Sequence, residues 1–147
     1  MGKARNPDND AFYVLNLCEE VLGSAASREH RFEWLRGDIS SRTGRSMTLP
    51  VDGYWPQLGL VIEVMESQHF RATPHFDKPD VLTVSGVHRG LQRRLYDLRK
   101  AELIPQNGLT YLAIAITEFR TRGKKIKRDH DVDLQVVRER LNFVLLR

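Results

Sequence analysis

Two carboxylates stand where this 147-residue chain can least easily afford charge. Glu63 lies inside the apolar run LVIEVM, residues 60–65, which reads as a buried strand, and Asp52 precedes it in VDGYW. Burying a carboxylate costs several kcal/mol unless something binds or protonates it. A tight turn around Pro56 to Gly59 would fold these stretches into a hairpin and bring the two acids together. They would then raise each other's pKa unless a cation sat between them. Oxygen donors of this kind suit Mg²⁺ or Mn²⁺, which keep several waters and accept phosphate oxygens as further ligands. Such a metal acidifies its bound water and stabilises charge on a phosphodiester under attack. The pair therefore fits metal-dependent phosphodiester hydrolysis. The plainer alternative is that Glu63 pairs with an arginine or meets solvent at a sheet edge, and spacing alone leaves both open. His69 follows closely, and its imidazole can exchange a proton near neutral pH. A loop histidine is as readily a solvated one, and His30, His75, His88 and His130 have no stronger claim.

The elements that must hold these groups follow from periodicity and punctuation. Asp8 or Asn9 can cap a first helix, 9–22, with Val14, Leu15, Cys18, Val21 and Leu22 on one face and Gly23 to stop it. Ser24 can cap a short second helix, roughly 25–36, with Ala25, Phe32 and Leu35 inward and Glu29 near their edge. The stretch GDISSRTGRS, 37–46, reads as a loop, and the hairpin MTLPVDGYW–LVIEVME comes next. Residues 67–85, with Pro74 and Pro79, form an irregular connection. A helix from Ser85 to about 103 places Val87, Leu91, Leu95 and Leu98 at helical spacing. LTYLAIAI, 109–116, suits a central strand covered on both faces. A basic loop and a last amphipathic helix, 131–146, end the chain, with Val137, Leu141, Val144 and Leu145 inside. Strand, helix, strand in that order implies a crossover joining parallel neighbours. The expected fold is α/β, a small mixed sheet flanked by helices.

The bulk composition excludes several classes. The length suits one domain, with a core at about 24–118 and the first and last helices as additions. One cysteine, Cys18, rules out an intrachain disulfide framework or a cysteine-based zinc site. No apolar run approaches the roughly 20 residues of a membrane span, and MGKARNPDND lacks the apolar core of a signal peptide. The expectation is a soluble cytoplasmic protein with no membrane partner. Net charge is +4 with a pI near 9.5, a mild pointer to a polyanionic partner.

The stretch VDGYWPQLGLVIEVMESQHF resembles the core of small nuclease-like domains related to the very short patch repair endonuclease. In that group a motif of the form V-D-F-Y-x-P…L-V-I-E-V-D-G-x-Q-H recurs. These domains belong to the restriction-endonuclease-like superfamily with the PD-(D/E)xK signature. The likeness is close over about 20 residues and looser from Glu29 to Ile116. It implies a restriction-endonuclease-like core and a Mg²⁺- or Mn²⁺-dependent endonuclease. Asp52 and Glu63 would bind the metal, joined by the Val64 backbone carbonyl, and His69 would assist proton transfer. Glu29, on a preceding helix, would reach the metal's waters. Asp97 matches the last acid of the EDxHD subset found in related homing endonucleases, although its spacing from Arg93 and Arg94 equally describes a helix-surface ion pair. The superfamily's usual lysine, two residues after the glutamate, is Met65 here. His69, Arg93 or Lys100 would then supply that charge, or the site is weakened.

Basic residues supply the expected DNA contacts. Arg89, Arg93, Tyr96 and Lys100 recur at helical spacing as a stripe opposite the leucines. The loop RTRGKKIKR adds Arg120, Arg122, Lys124, Lys125, Lys127 and Arg128, which can contact phosphates; a solvated charge run is the alternative. Trp55 and Phe70 flank the acids and either pack in the core or stack on bases. The expected partner is DNA, with RNA and a homodimeric state left open. The main competing reading is a catalytically silent nucleic-acid-binding or assembly module that keeps the nuclease fold, and Met65 is the residue that favours it.

Overall fold

A computed structural model describes residues 9–66 and 89–146. Its described elements are α1 (Asp10–Leu22), β1 (Ser27–Arg36), β2 (Thr48–Trp55), β3 (Leu60–Met65), α2 (Arg89–Gln106), β4 (Thr110–Ala115), β5 (Thr121–Arg122), β6 (Lys125–Ile126), α3 (His130–Arg140) and α4 (Asn142–Leu145). The protein is mixed α/β. Strands β1 to β4 form one sheet in chain order, and β5 and β6 form a separate two-stranded ribbon. The β2–β3 hairpin is antiparallel, with Pro56–Leu58 in a 3₁₀ turn closed by Gly59 in the left-handed region. Beyond the helical crossover, β4 pairs parallel to β3, from Leu60 opposite Thr110 to Met65 opposite Ala115.

One face of this sheet is the main core. Trp55, Leu60, Ile62, Val64, Leu112 and Ile114 meet Val14, Leu15, Leu17 and Cys18 of α1 and Val137, Leu141 and Val144 of the C-terminal helices. The first and last helices thus form the layer over this face. Trp55 is fully buried there, its indole N–H donating to the Ser24 carbonyl at 2.9 Å, so core packing is its role. Gly53 makes room for it. A Cβ at Gly53 would come within 2.9 Å of the Trp55 ring and 3.1 Å of Leu15, both buried and unable to yield. Gly53→Ala should therefore lower stability by about 1–3 kcal/mol, the usual cost of overpacking, read as a lower melting temperature.

Four expectations are corrected. Residues 27–36 are an extended edge strand rather than a helix. His30, Phe32 and Trp34 alternate along one face and pack with Tyr54, the rings 4.6–4.9 Å apart, an arrangement of period two that a helix would scatter. Among the described strands, β4 lies at the sheet's end instead of its centre, with only Leu112 and Ile114 of it buried in the core. On α2, Leu95 is 39% and Leu98 66% exposed, whereas Tyr96, Arg99 and Lys100 are turned toward the sheet and the β1–β2 connection. The final helix breaks at Leu141 and leaves Leu145 exposed, while Val137, Leu141 and Val144 are buried as expected.

Candidate functional site

The acid pair arises where the β2–β3 ladder opens. Pairing runs from Trp55–Leu60 to Gly53–Ile62, and one further step in the same register sets Asp52 opposite Glu63. From that point the side chains take over as acceptors. The Asp52 backbone N–H donates to Glu63 Oε2 at 3.2 Å, and the Val64 N–H donates to Asp52 Oδ2 at 2.8 Å. Each acid is thereby fixed to the other's strand, and Glu63 lies on the face that α2 covers. Strand alternation accounts for this placement: Ile62 and Val64 point to the core, so Glu63 must point to the opposite side.

Helix α2 brings the cation. Lys100 Nζ donates to Glu63 Oε1 at 2.6 Å and to the Pro50 carbonyl at 2.9 Å, and its side chain is only 13% exposed. A pocket of about 230 Å³ opens over the pair, lined by Ala11, Asp52, Glu63, Val64, Met65, Glu66, Asp97 and Lys100. Met65 has no charge to offer, and the ammonium that meets Glu63 comes from Lys100. Asp97, one helical turn earlier, shares the pocket wall with Glu66.

Glu63 is 4% exposed. Burial first, and then the Asp52 charge, push its carboxyl up from 4.5 to about 8, with Lys100 pulling the other way. The same acids, after burial, hold the Tyr111 phenol above its ordinary value. A raised carboxyl favours the fold while protonated. Its contribution is complete below about pH 4.5 and is lost as pH rises through about 8. Without divalent metal, the melting temperature should therefore fall between pH 5 and pH 8.5, and the fall should shrink in Glu63→Gln. A Glu63→Gln protein with the wild-type pH dependence would contradict this assignment.

The donor set suits a hard divalent ion. Asp52 and Glu63 offer carboxylate oxygens, and a buried carboxyl with a raised pKa gains from a nearby cation. Among the described residues, no three His, Cys, Asp or Glu side chains converge on one point. An ion here would keep several waters, as Mg²⁺ usually does.

The other expected site residues are placed as follows. Glu29 does not approach from a helix. It is exposed on edge strand β1, at φ +51°, and this left-handed residue turns the strand over. Arg28 consequently faces α1, with Glu19 at 2.7 Å, while His30 faces Tyr54 on the other side of the sheet. His69 lies outside the described residues, as do Phe70 and residues 67–85. Arg89 is exposed at the start of α2, and Arg93 is partly buried one turn on.

The basic segment 120–128 is a hairpin rather than a plain loop. Lys124, Lys125 and Lys127 are exposed on it. Arg128, expected to contact phosphate, is exposed and also engaged within the fold. It pairs with Asp10 at 3.1 Å and lies over the Tyr13 ring at 4.5 Å, bracing the hairpin to α1. The Ile126 N–H also donates to Asp10, whose neighbour Ala11 lines the acid pocket. The ribbon's base is thereby tied next to that pocket.

No helix among the described residues is long and apolar enough to cross a membrane. No family model matches the chain, and no curated protein or solved structure matches it.

Proposed function

We propose that this protein is a divalent-metal-dependent nuclease of the restriction-endonuclease-like kind, hydrolysing phosphodiester bonds in DNA. The observation that carries the reading is the Asp52–Glu63 pair with Lys100 at 2.6 Å from Glu63, in one small pocket. This constellation supplies two acids and a lysine from a hairpin and the following helix. Two acids and a lysine are what the PD-(D/E)xK signature names, and α2 would deliver the lysine in place of Met65.

Asp52, Glu63 and the Val64 carbonyl would hold the ion, Mg²⁺ or Mn²⁺. When bound, it would acidify a water and stabilise negative charge on the phosphate. Lys100 does the orienting work of this chain. Its ammonium opposes the upward push on Glu63 and offers remaining N–H groups to a nucleophilic water or a phosphate oxygen. Asp97 and Glu66 on the wall can orient further waters. The hairpin's Lys124, Lys125 and Lys127, anchored beside the pocket, would hold backbone phosphates.

A catalytically silent nucleic-acid-binding module is the second reading, and Met65 is what favours it. The experiment that separates them is incubation of the protein with supercoiled plasmid and with a single-stranded RNA, in Mg²⁺, in Mn²⁺ and in EDTA. The nuclease reading expects nicking or linearisation of the plasmid that needs the metal. Cleavage in EDTA equal to that in Mg²⁺, or binding without cleavage in either metal, contradicts it. Metal-dependent cutting of the RNA alone would move the same chemistry to RNA.

A further inference from the structure

The connection between β1 and β2 is a projecting finger. Its two arms approach each other through Gly37 N–H to the Met47 carbonyl at 2.9 Å and Ser40 N–H to the Arg45 carbonyl at 2.9 Å. At its tip, Arg42 and Arg45 are exposed, and the side-chain oxygens of Ser40 and Thr43 accept their backbone N–H groups. Below the tip stand two large apolar side chains that the fold does not bury, Ile39 at 67% and Met47 at 74% exposure.

Strand directions fix where the finger emerges. It joins the end of β1 to the start of β2. Because β2 runs antiparallel to β3 and β3 parallel to β4, that is the end where Met65 and Ala115 finish. The acid pocket opens at this same end, and the β5–β6 hairpin is anchored beside it through Asp10. In sheet order the finger leaves from the β1–β2 side, the hairpin follows β4, and the pocket lies on β2 and β3 between them.

The finger is also braced by the helix that serves the pocket. Arg99 donates to the Arg36 carbonyl at 3.0 Å and to Asp38 Oδ1 at 2.6 Å, and the Asp38 N–H donates to the Tyr96 hydroxyl at 2.9 Å. Gly37 lets the two come together, since a Cβ there would lie 2.7 Å from the Tyr96 oxygen. Consecutive residues of α2, Arg99 and Lys100, thus grip the finger and Glu63.

We propose that the finger 37–47 is a second nucleic-acid-binding arm. Arg42 and Arg45 meet backbone phosphates of a duplex, and Ile39 and Met47 meet sugar and base surface in its groove. The inference rests on the nuclease reading for its choice of nucleic acid. A polyanion lying across the pocket would run between two basic arms, which is the charge arrangement that the strand order provides. A guanidinium suits phosphate oxygens through paired N–H donors. Apolar side chains set beside such contacts are the means by which proteins press on base steps. An anionic membrane surface would also attract a basic, apolar-tipped finger, but it offers nothing for the carboxylate pocket between the arms.

The test measures binding of a duplex DNA of about 30 base pairs at a series of salt concentrations, with the intact chain in metal-free buffer. The double variant Arg42→Glu/Arg45→Glu should bind at least tenfold more weakly, with its salt slope shallower by about 2, since each phosphate contact carries roughly 0.9. Ile39→Ser/Met47→Ser should weaken binding with an unchanged slope. Both variants should keep the wild-type melting temperature, because the altered side chains are exposed.

Wild-type affinity and slope in the arginine variant would overturn the inference. So would wild-type protein that binds no duplex at low salt yet binds vesicles containing phosphatidylserine. The nuclease reading is judged separately by metal-dependent cleavage and its loss in Asp52→Asn. Duplex binding that depends on the finger in a protein that never cuts would support this inference while sinking that reading.

Discussion

Asp52→Asn should abolish DNA cleavage, by about 10³-fold or more, while the melting temperature stays constant or rises. The two effects have one origin. Asp52 contributes half of the carboxylate pair, and a metal site is worth several kcal/mol of transition-state stabilisation at about 1.4 kcal/mol per tenfold. In the metal-free protein the same charge works against the fold, because it helps push Glu63 up to about 8. An asparagine oxygen can still accept the Val64 N–H that Asp52 Oδ2 now accepts at 2.8 Å. The neutral side chain removes repulsion from Glu63 and leaves its contact with Lys100 intact. The paired measurements are single-turnover cleavage and thermal unfolding near pH 8. A destabilised variant that cuts at the wild-type rate would mean that Asp52 is a structural partner only.

Lys100→Met should be damaging in both respects, and its effect on stability should depend on pH. Removing the ammonium leaves Glu63 buried beside Asp52 with no counter-charge. Losing one partner of a buried pair costs about 3–5 kcal/mol when the survivor must stay ionised. Here Glu63 escapes by taking a proton, so the loss should be small near pH 5 and grow toward pH 8.5. Cleavage should fall by about 10²–10³-fold, the range for removing one preorganised donor at a developing charge. Adding Glu63→Gln to Lys100→Met should restore the stability without restoring cleavage. If the single variant unfolds with the same pH profile as wild type, Lys100 is not the group that sets Glu63's charge.

The hairpin and its acids were legible because several signals agreed. A proline-and-glycine turn separates two strand-like runs, and a lone Glu63 interrupts an apolar stretch. Strand β1 was hidden by a coincidence of spacing: Phe32 and Leu35 fall three apart and suggest a helix face, whereas His30, Phe32 and Trp34 carry the true period of two. The left-handed Glu29 has no sequence signature, since that conformation is ordinarily left to glycine. On α2 the leucine spacing pointed to a buried face that the fold does not use. The side turned inward instead carries Lys100, Arg99 and Tyr96, because it must neutralise Glu63 and brace the finger. Ion pairing and hydrogen bonding overrode the hydrophobic pattern there. Lys100 itself was legible only through Met65: a buried acid pair without its adjacent lysine demands a cation from elsewhere in the chain.

Titration of the metal-free protein with Mn²⁺ at pH 7, by calorimetry in two buffers of different ionisation enthalpy, tests the central claim most directly. A carboxyl held near 8 is largely protonated at pH 7, so an ion that binds it must displace that proton. The account predicts saturable binding of a single ion per chain with close to one proton released, weaker binding at pH 6, and none in Asp52→Asn. Binding that releases no proton, or that survives intact in Asp52→Asn, would contradict a metal site built on Asp52 and Glu63.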